Sequence, residues 1–87
     1  MGPLAHMISL LGEKWVLPII SILFMEEVRF NTMKKQLSIT SRTLSRKLRK
    51  LENSGLVEKI LDETGRTAYS LTEVGKEFYS TLTRILH

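Results

Sequence analysis

The spacing of apolar and polar residues changes several times along this 87-residue chain, and each change marks an element. Ile8 to Leu11 is a short apolar turn with helical character, closed by Gly12. From about Lys14 to Met25 the apolar positions (Trp15, Val16, Leu17, Ile19, Ile20, Ile22, Leu23, Phe24) leave almost no polar face. That pattern predicts a helix buried on most sides. Pro18 falls near its start, where a missing N–H costs least. Val28 to Phe30 is short and β-prone. Asn31 is then the expected cap of a helix running through Met33 and Leu37.

"SIT", Ser38 to Thr40, reads as a tight turn, with the Thr40 hydroxyl placed to accept from the first free N–H groups of the next helix. That helix is expected over Ser41 to Asn53, with Leu44, Leu48 and Leu51 at i, i+4 and i+7 and Gly55 as its stop. Leu56 to Leu61 alternates in part and predicts a strand. Asp62 to Gly65 is a turn, and Arg66 to Leu71 is the returning strand. Thr72 caps a last helix, whose first turn holds Glu73, where the helix dipole favours an anion. Two helices joined by a tight turn and followed by a hairpin describe a winged helix-turn-helix, a mainly α fold with a small β-hairpin.

The length gives one domain with a modest core. Residues 1–6, "MGPLAH", read as a cloning remnant, leaving 7–87 as a single domain with terminal helices for dimerisation. The absence of cysteine removes disulfides, thiolate metal sites and thiol redox sensing. "VLPIISILFM" is too short to span a bilayer and is followed by Glu26 and Glu27; no small-residue cleavage site marks it as a signal peptide. The expectation is a cytoplasmic protein with no membrane partner.

Charge sharpens the picture. The chain carries +4, but Lys34 to Lys59 alone holds eight cations against Glu52 and Glu58, a segment charge of +6. The remainder is slightly acidic, so the charge is localised rather than spread for solubility. With Leu44 placed at 0° and about 100° per residue, Leu48 and Leu51 lie within about 40° of it, while Arg49, Arg42 and Arg46 fall near about 140°, 160° and 200°. The arginines therefore stand opposite the buried leucines.

The second helix of a helix-turn-helix enters the DNA major groove by its N-terminal half. Arg42, Thr43 and Arg46 are the expected base readers, arginine offering a planar fork that matches guanine O6 and N7. Ser41 and Ser45 are phosphate or base-edge candidates. Arg49, Lys50 and Lys35 are expected to hold phosphates, which sets register without reading sequence. For Arg66 at the hairpin tip two readings stand: minor-groove or backbone contact, or a salt bridge to Asp62 or Glu63 across its own turn. The alternative for the whole domain is a winged helix used for protein–protein contact, and the retained cations count against it. RNA is disfavoured, because an A-form major groove is too narrow for side-chain readout and no aromatic stacking platform is evident; the six aromatics (Trp15, Phe24, Phe30, Tyr69, Phe78, Tyr79) read as structural.

Four segments carry a resemblance. "GEKWVLPIISIL", "VRFNTMKKQL", "ITSRTLSRKLRKLENSGLVEK" and "AYSLTEVGKEF" are similar, in order and spacing, to the motifs of HxlR-type regulators in the wider MarR-like winged-helix group. The resemblance covers Gly12 to about Phe78. Two departures stand out. "ETGRTAY" replaces the proline-containing segment that members place before the wing tyrosine, closer to the basic wing of MarR relatives, and Lys59 stands where members carry Arg.

What the resemblance implies is a dimeric transcriptional regulator that binds double-stranded DNA at a pseudo-palindromic site. The last helix adds its own support for a homodimer. With Val74 at 0°, Ile85, Phe78, Leu82, Leu86 and Tyr79 fall at about 20°, 40°, 80°, 120° and 140°, a stripe wider than a one-sided core helix needs. The surplus edge (Tyr79, Leu82, Leu86), with Ile8, Leu10 and Leu11, is the expected partner surface. No carboxylate pairs with an evident base, no Gly-rich loop follows a strand and no metal-ligand spacing occurs, so neither an enzyme nor a cofactor is expected. Nothing in the pattern marks a pocket for a small-molecule effector.

Overall fold

A computed structural model describes residues 3–86. Five helices and one hairpin follow in the order α1 (Pro3–Leu11), α2 (Val16–Met25), α3 (Phe30–Leu37), α4 (Ser41–Asn53), β1 (Val57–Leu61), β2 (Thr67–Leu71) and α5 (Glu73–Leu86). The winged helix-turn-helix expected from the patterning is the fold observed.

α2 forms the centre. Val16, Ile19, Ile20 and Leu23 are at most 3% exposed and pack with Met33, Leu44, Leu48, Leu51, Leu56 and Leu71 in one core. Leu10 of α1 belongs to this core at 3% exposure, so the structure does not place it on a partner surface. α1 and α2 meet at 93°, and among the described residues no single helix is long and apolar enough to cross a membrane.

Several boundaries differ from the sequence reading. α1 reaches back to Pro3, so residues 3–6 continue the helix rather than standing apart from it. α2 begins at Val16, because Trp15 sits in the left-handed region at φ 77° and the chain turns there. α3 begins two residues early, with Arg29 in extended backbone as its N-cap; Asn31 lies inside the first turn and is not the cap. Val28 exchanges both backbone hydrogen bonds with Tyr69, at 3.1 and 2.8 Å, which fixes the end of the α2–α3 connection against β2. That pairing starts α3 sooner, with Phe30 packed against the core.

β1 and β2 pair antiparallel from Val57↔Leu71 to Leu61↔Thr67. β2 turns Ala68, Tyr69 and Leu71 inward, while most of β1 is outward. The hairpin thus leans on the helices mainly through β2, with Val57 of β1 buried at its root, and its turn residues 63–66 are exposed.

Candidate nucleic-acid interface

The interface is built on α4, whose ends are both closed by local chemistry. At its start the Thr40 hydroxyl accepts from the Thr43 backbone N–H at 3.2 Å and donates to the Thr43 hydroxyl at 2.9 Å. At its end Gly55 takes φ 77°. The Gly55 N–H then donates to the Glu52 carbonyl, and the Leu56 N–H reaches back to the Leu51 carbonyl, each at 3.0 Å. This is the paired bonding of a Schellman motif, and only glycine adopts that φ without strain.

Between these caps the two faces differ sharply. Leu44, Leu48 and Leu51 are at most 1% exposed. Arg42, Ser45, Arg46 and Arg49 line a shallow groove on the opposite side and are all exposed. Ser41 is exposed beside them. Thr43 is half-buried, and its hydroxyl lies against the Thr40 cap. Lys35 is exposed on α3, where it lines a neighbouring groove with Asn31, Lys34, Ser38 and Ile39. Ser38 makes the sharp α3–α4 turn in the left-handed region at φ 52°. The sequence-predicted cations therefore line a groove on each helix of the helix-turn-helix, except on one flank of α4.

The exception involves Lys47 and Lys50. At about 100° per residue they stand near about 300° and 240°, between the arginine ridge and the leucines. Both Nζ atoms donate to the same oxygen, Oε1 of Glu13, each at 2.9 Å. Lys47 is 9% exposed overall and is packed rather than solvated. The hydrogen bonds from Lys50 and then Lys47 hold the Glu13 carboxyl below its ordinary range. No pattern in the sequence marks Glu13 for this contact.

The wing tip is organised around Asp62. Its Oδ1 accepts from the Thr64 hydroxyl at 2.6 Å, the Thr64 N–H at 2.9 Å and the Arg66 N–H at 3.0 Å. Its Oδ2 accepts from Arg29 Nε at 2.6 Å, and Arg29 Nη2 also donates to the Thr64 hydroxyl at 3.0 Å. The Thr64 hydroxyl and the Arg29 guanidinium lead in holding this carboxyl far below the usual carboxylate range. Arg29 thus takes the partner that one reading gave to Arg66. Among the described residues the Arg66 guanidinium meets no carboxylate within salt-bridge distance. It stands exposed at a tip clamped from α3.

A second candidate surface lies away from α4. Ile8 and Leu11 of α1 and Phe78, Thr81, Leu82 and Ile85 of α5 line an apolar cleft. Ile8 and Ile85 are 60% and 74% exposed. The predicted edge of α5 divides between this cleft, which Leu82 lines, and a contact with α2. Ile85 lies outward, whereas Tyr79 is half-buried with its ring 4.6 Å from that of Phe24. The Leu86 side chain lies outside the described residues.

Comparison with known proteins agrees with this geometry. The family model described as "HxlR-like helix-turn-helix" matches residues 10–87. An uncharacterised helix-turn-helix-type transcriptional regulator of Halalkalibacterium halodurans is 37% identical over 75 residues, 82% of this chain and 66% of that protein. The chain spans between about half and two thirds of the length of the curated relatives it matches. The reduced form of the transcriptional regulator YodB from B. subtilis superposes with a TM-score of 0.87 at 27% identity, covering 99% of this chain and 88% of that one. A possible HxlR family transcriptional factor from Thermoplasma volcanium gives 0.77 at 35% identity, covering 91% and 73%. The capped helix-turn-helix, its outward arginine ridge, the clamped wing and a family match over most of the chain together lead to one assignment: this chain belongs to the HxlR-like helix-turn-helix family.

Proposed function

We propose that the chain is the DNA-binding part of a transcriptional regulator, and that it works as a homodimer on a pseudo-palindromic double-stranded site in the cytoplasm. The observation that carries this is the outward ridge of Arg42, Ser45, Arg46 and Arg49 on a helix whose other face is locked into the core. A ridge fixed in this way enters a major groove as a rigid body. Arg42 and Arg46 read base edges, joined by Thr43 where its hydroxyl proton points outward. Ser41 and Ser45 contact base edges or phosphates. Arg49 and Lys35 hold phosphates, and Arg66 reaches the adjacent minor groove or its backbone from the wing.

The apolar cleft between α1 and α5 supports the homodimer. Ile8, Leu11, Leu82 and Ile85 give a second copy a dry surface on the side of α1 and α5, separate from the arginine ridge. Two copies joined there set two recognition helices about 34 Å apart, one helical turn of DNA. No chemical reaction is assigned to the chain; its relatives are named regulators.

The test is fluorescence anisotropy of a labelled duplex titrated at several salt concentrations, followed by selection of the preferred site. Binding that weakens steeply with salt supports the proposal, because each neutralised phosphate releases counterions. No binding at low salt overturns it and leaves the cations for an acidic protein partner.

A further inference from the structure

We propose that Glu13 is a positioning residue for the recognition helix: from the α1–α2 turn it seats α4 through Lys47 and withholds the charge of Lys50 from DNA phosphates. This rests on the DNA-binding reading above. One carboxylate oxygen accepts from two ammonium groups, each at 2.9 Å, across sequence separations of 34 and 37 residues. The two cations are not equivalent. The Lys47 side chain is 11% exposed and has little water to turn to; that of Lys50 is 49% exposed and lies beside the outward face. Lys47 therefore needs the carboxylate for its own burial, and Lys50 is the cation that the same carboxylate restrains. The flank carries one net positive charge where the sequence alone suggests two.

The position of Glu13 extends the consequence. It lies two residues beyond the end of α1, and α1 carries Ile8 and Leu11 of the proposed dimer surface. The contact thus ties the dimer side of the molecule to the flank of the DNA-reading helix. It also reassigns Lys50, which helical spacing alone had put among the phosphate ligands.

Two measurements on the whole chain test this. The first needs no DNA: limited acetylation of lysines by acetic anhydride, read by mass spectrometry, in the unaltered chain and in Glu13→Gln. The glutamine keeps a hydrogen-bond acceptor for Lys47 but loses the charge. Lys50 is expected to react several-fold faster in the variant, and equal labelling overturns the restraint. The second is the salt dependence of duplex binding. Lys50→Met should leave the slope of log K against log salt unchanged. Glu13→Gln should steepen it by about 0.9, so that about threefold more affinity is lost over a fourfold rise in salt. A slope that falls by about 0.9 in Lys50→Met makes Lys50 a phosphate ligand and overturns the assignment. If the unaltered chain binds no duplex, the DNA reading falls together with the phosphate half of this proposal. The labelling experiment then decides the remaining half.

Discussion

Gly75→Ala sets two local effects against each other. Gly75 lies in the first turn of α5. On helix propensity alone, alanine there would stabilise by up to about 1 kcal/mol. The packing opposes this. A Cβ at Gly75 would stand 2.3 Å from the backbone carbonyl oxygen of Leu56, against the 3.0 Å below which real Cβ contacts essentially do not occur. The obstacle is backbone, so no side-chain rotation relieves it. α5 has to withdraw by several tenths of an ångström from the root of the wing. Two hydrogen bonds cross that gap: Thr72 N–H to the Leu56 carbonyl at 3.0 Å and the Thr72 hydroxyl to the Gly55 carbonyl at 2.6 Å. Overpacking of this kind costs about 1–3 kcal/mol, and each weakened hydrogen bond adds a part of about 1 kcal/mol. After the propensity gain, the net loss is about 2 kcal/mol. For a chain of this size that lowers Tm by about 8–16 °C. Thermal unfolding followed by circular dichroism reads it directly. Gly55→Ala provides the comparison, since its Cβ meets nothing within 4 Å but its φ is +77°. It should cost about 1–2 kcal/mol from backbone strain alone. A Gly75→Ala chain with unchanged or raised Tm would refute the steric argument.

Arg46→Ala should cost about 1–3 kcal/mol at the preferred duplex while leaving Tm nearly unchanged, because the side chain is exposed; equal affinity would remove Arg46 from the readout. Leu82→Glu should yield a monomer by analytical ultracentrifugation with an unaltered circular dichroism spectrum, whereas a persistent dimer would place the interface elsewhere. Asp62 has its folded pKa below the ordinary 3.8, so its contribution to stability is complete above that pH and fades as pH falls through the folded value. Asp62→Asn should therefore weaken the pH dependence of stability below about pH 4, and an acid-unfolding curve that does not change shape would contradict the Asp62 hydrogen-bond set.

Features governed by near neighbours in the chain were legible in the sequence. The bounds of α4, the Thr40 cap, the Gly55 stop and the hairpin around Asp62 to Gly65 all rest on contacts a few residues apart. The outward arginine ridge followed from helical spacing once the leucines were assigned inward. What escaped was set by distant partners. Glu13 meets Lys47 and Lys50, and Arg29 meets Asp62 33 residues away; no periodicity connects such pairs. The α3 cap escaped for a related reason, since Val28 is drawn to Tyr69 across the fold and carries the helix start with it. On α5, spacing placed Ile85 and Tyr79 on one stripe but could not tell which edge of the stripe faces α2. The ring of Phe24 decides that for Tyr79.

The meeting of α4, β1 and α5 at Gly55 and Leu56 has a mechanical consequence. Leu56 receives the end of α4 through the Leu51 carbonyl, and Gly55 and Leu56 together hold the start of α5 through Thr72. A rotation of α5 that this joint transmits whole would swing α4 as the second arm of one lever. α4 extends about 20 Å from that fulcrum to its N-terminal tip. A tilt of α5 by about 5° then carries the tip through about 1.7 Å, a large fraction of a hydrogen-bond length. In a pair joined through α5, the angle between the two copies would thereby gauge the distance between the two DNA-reading tips.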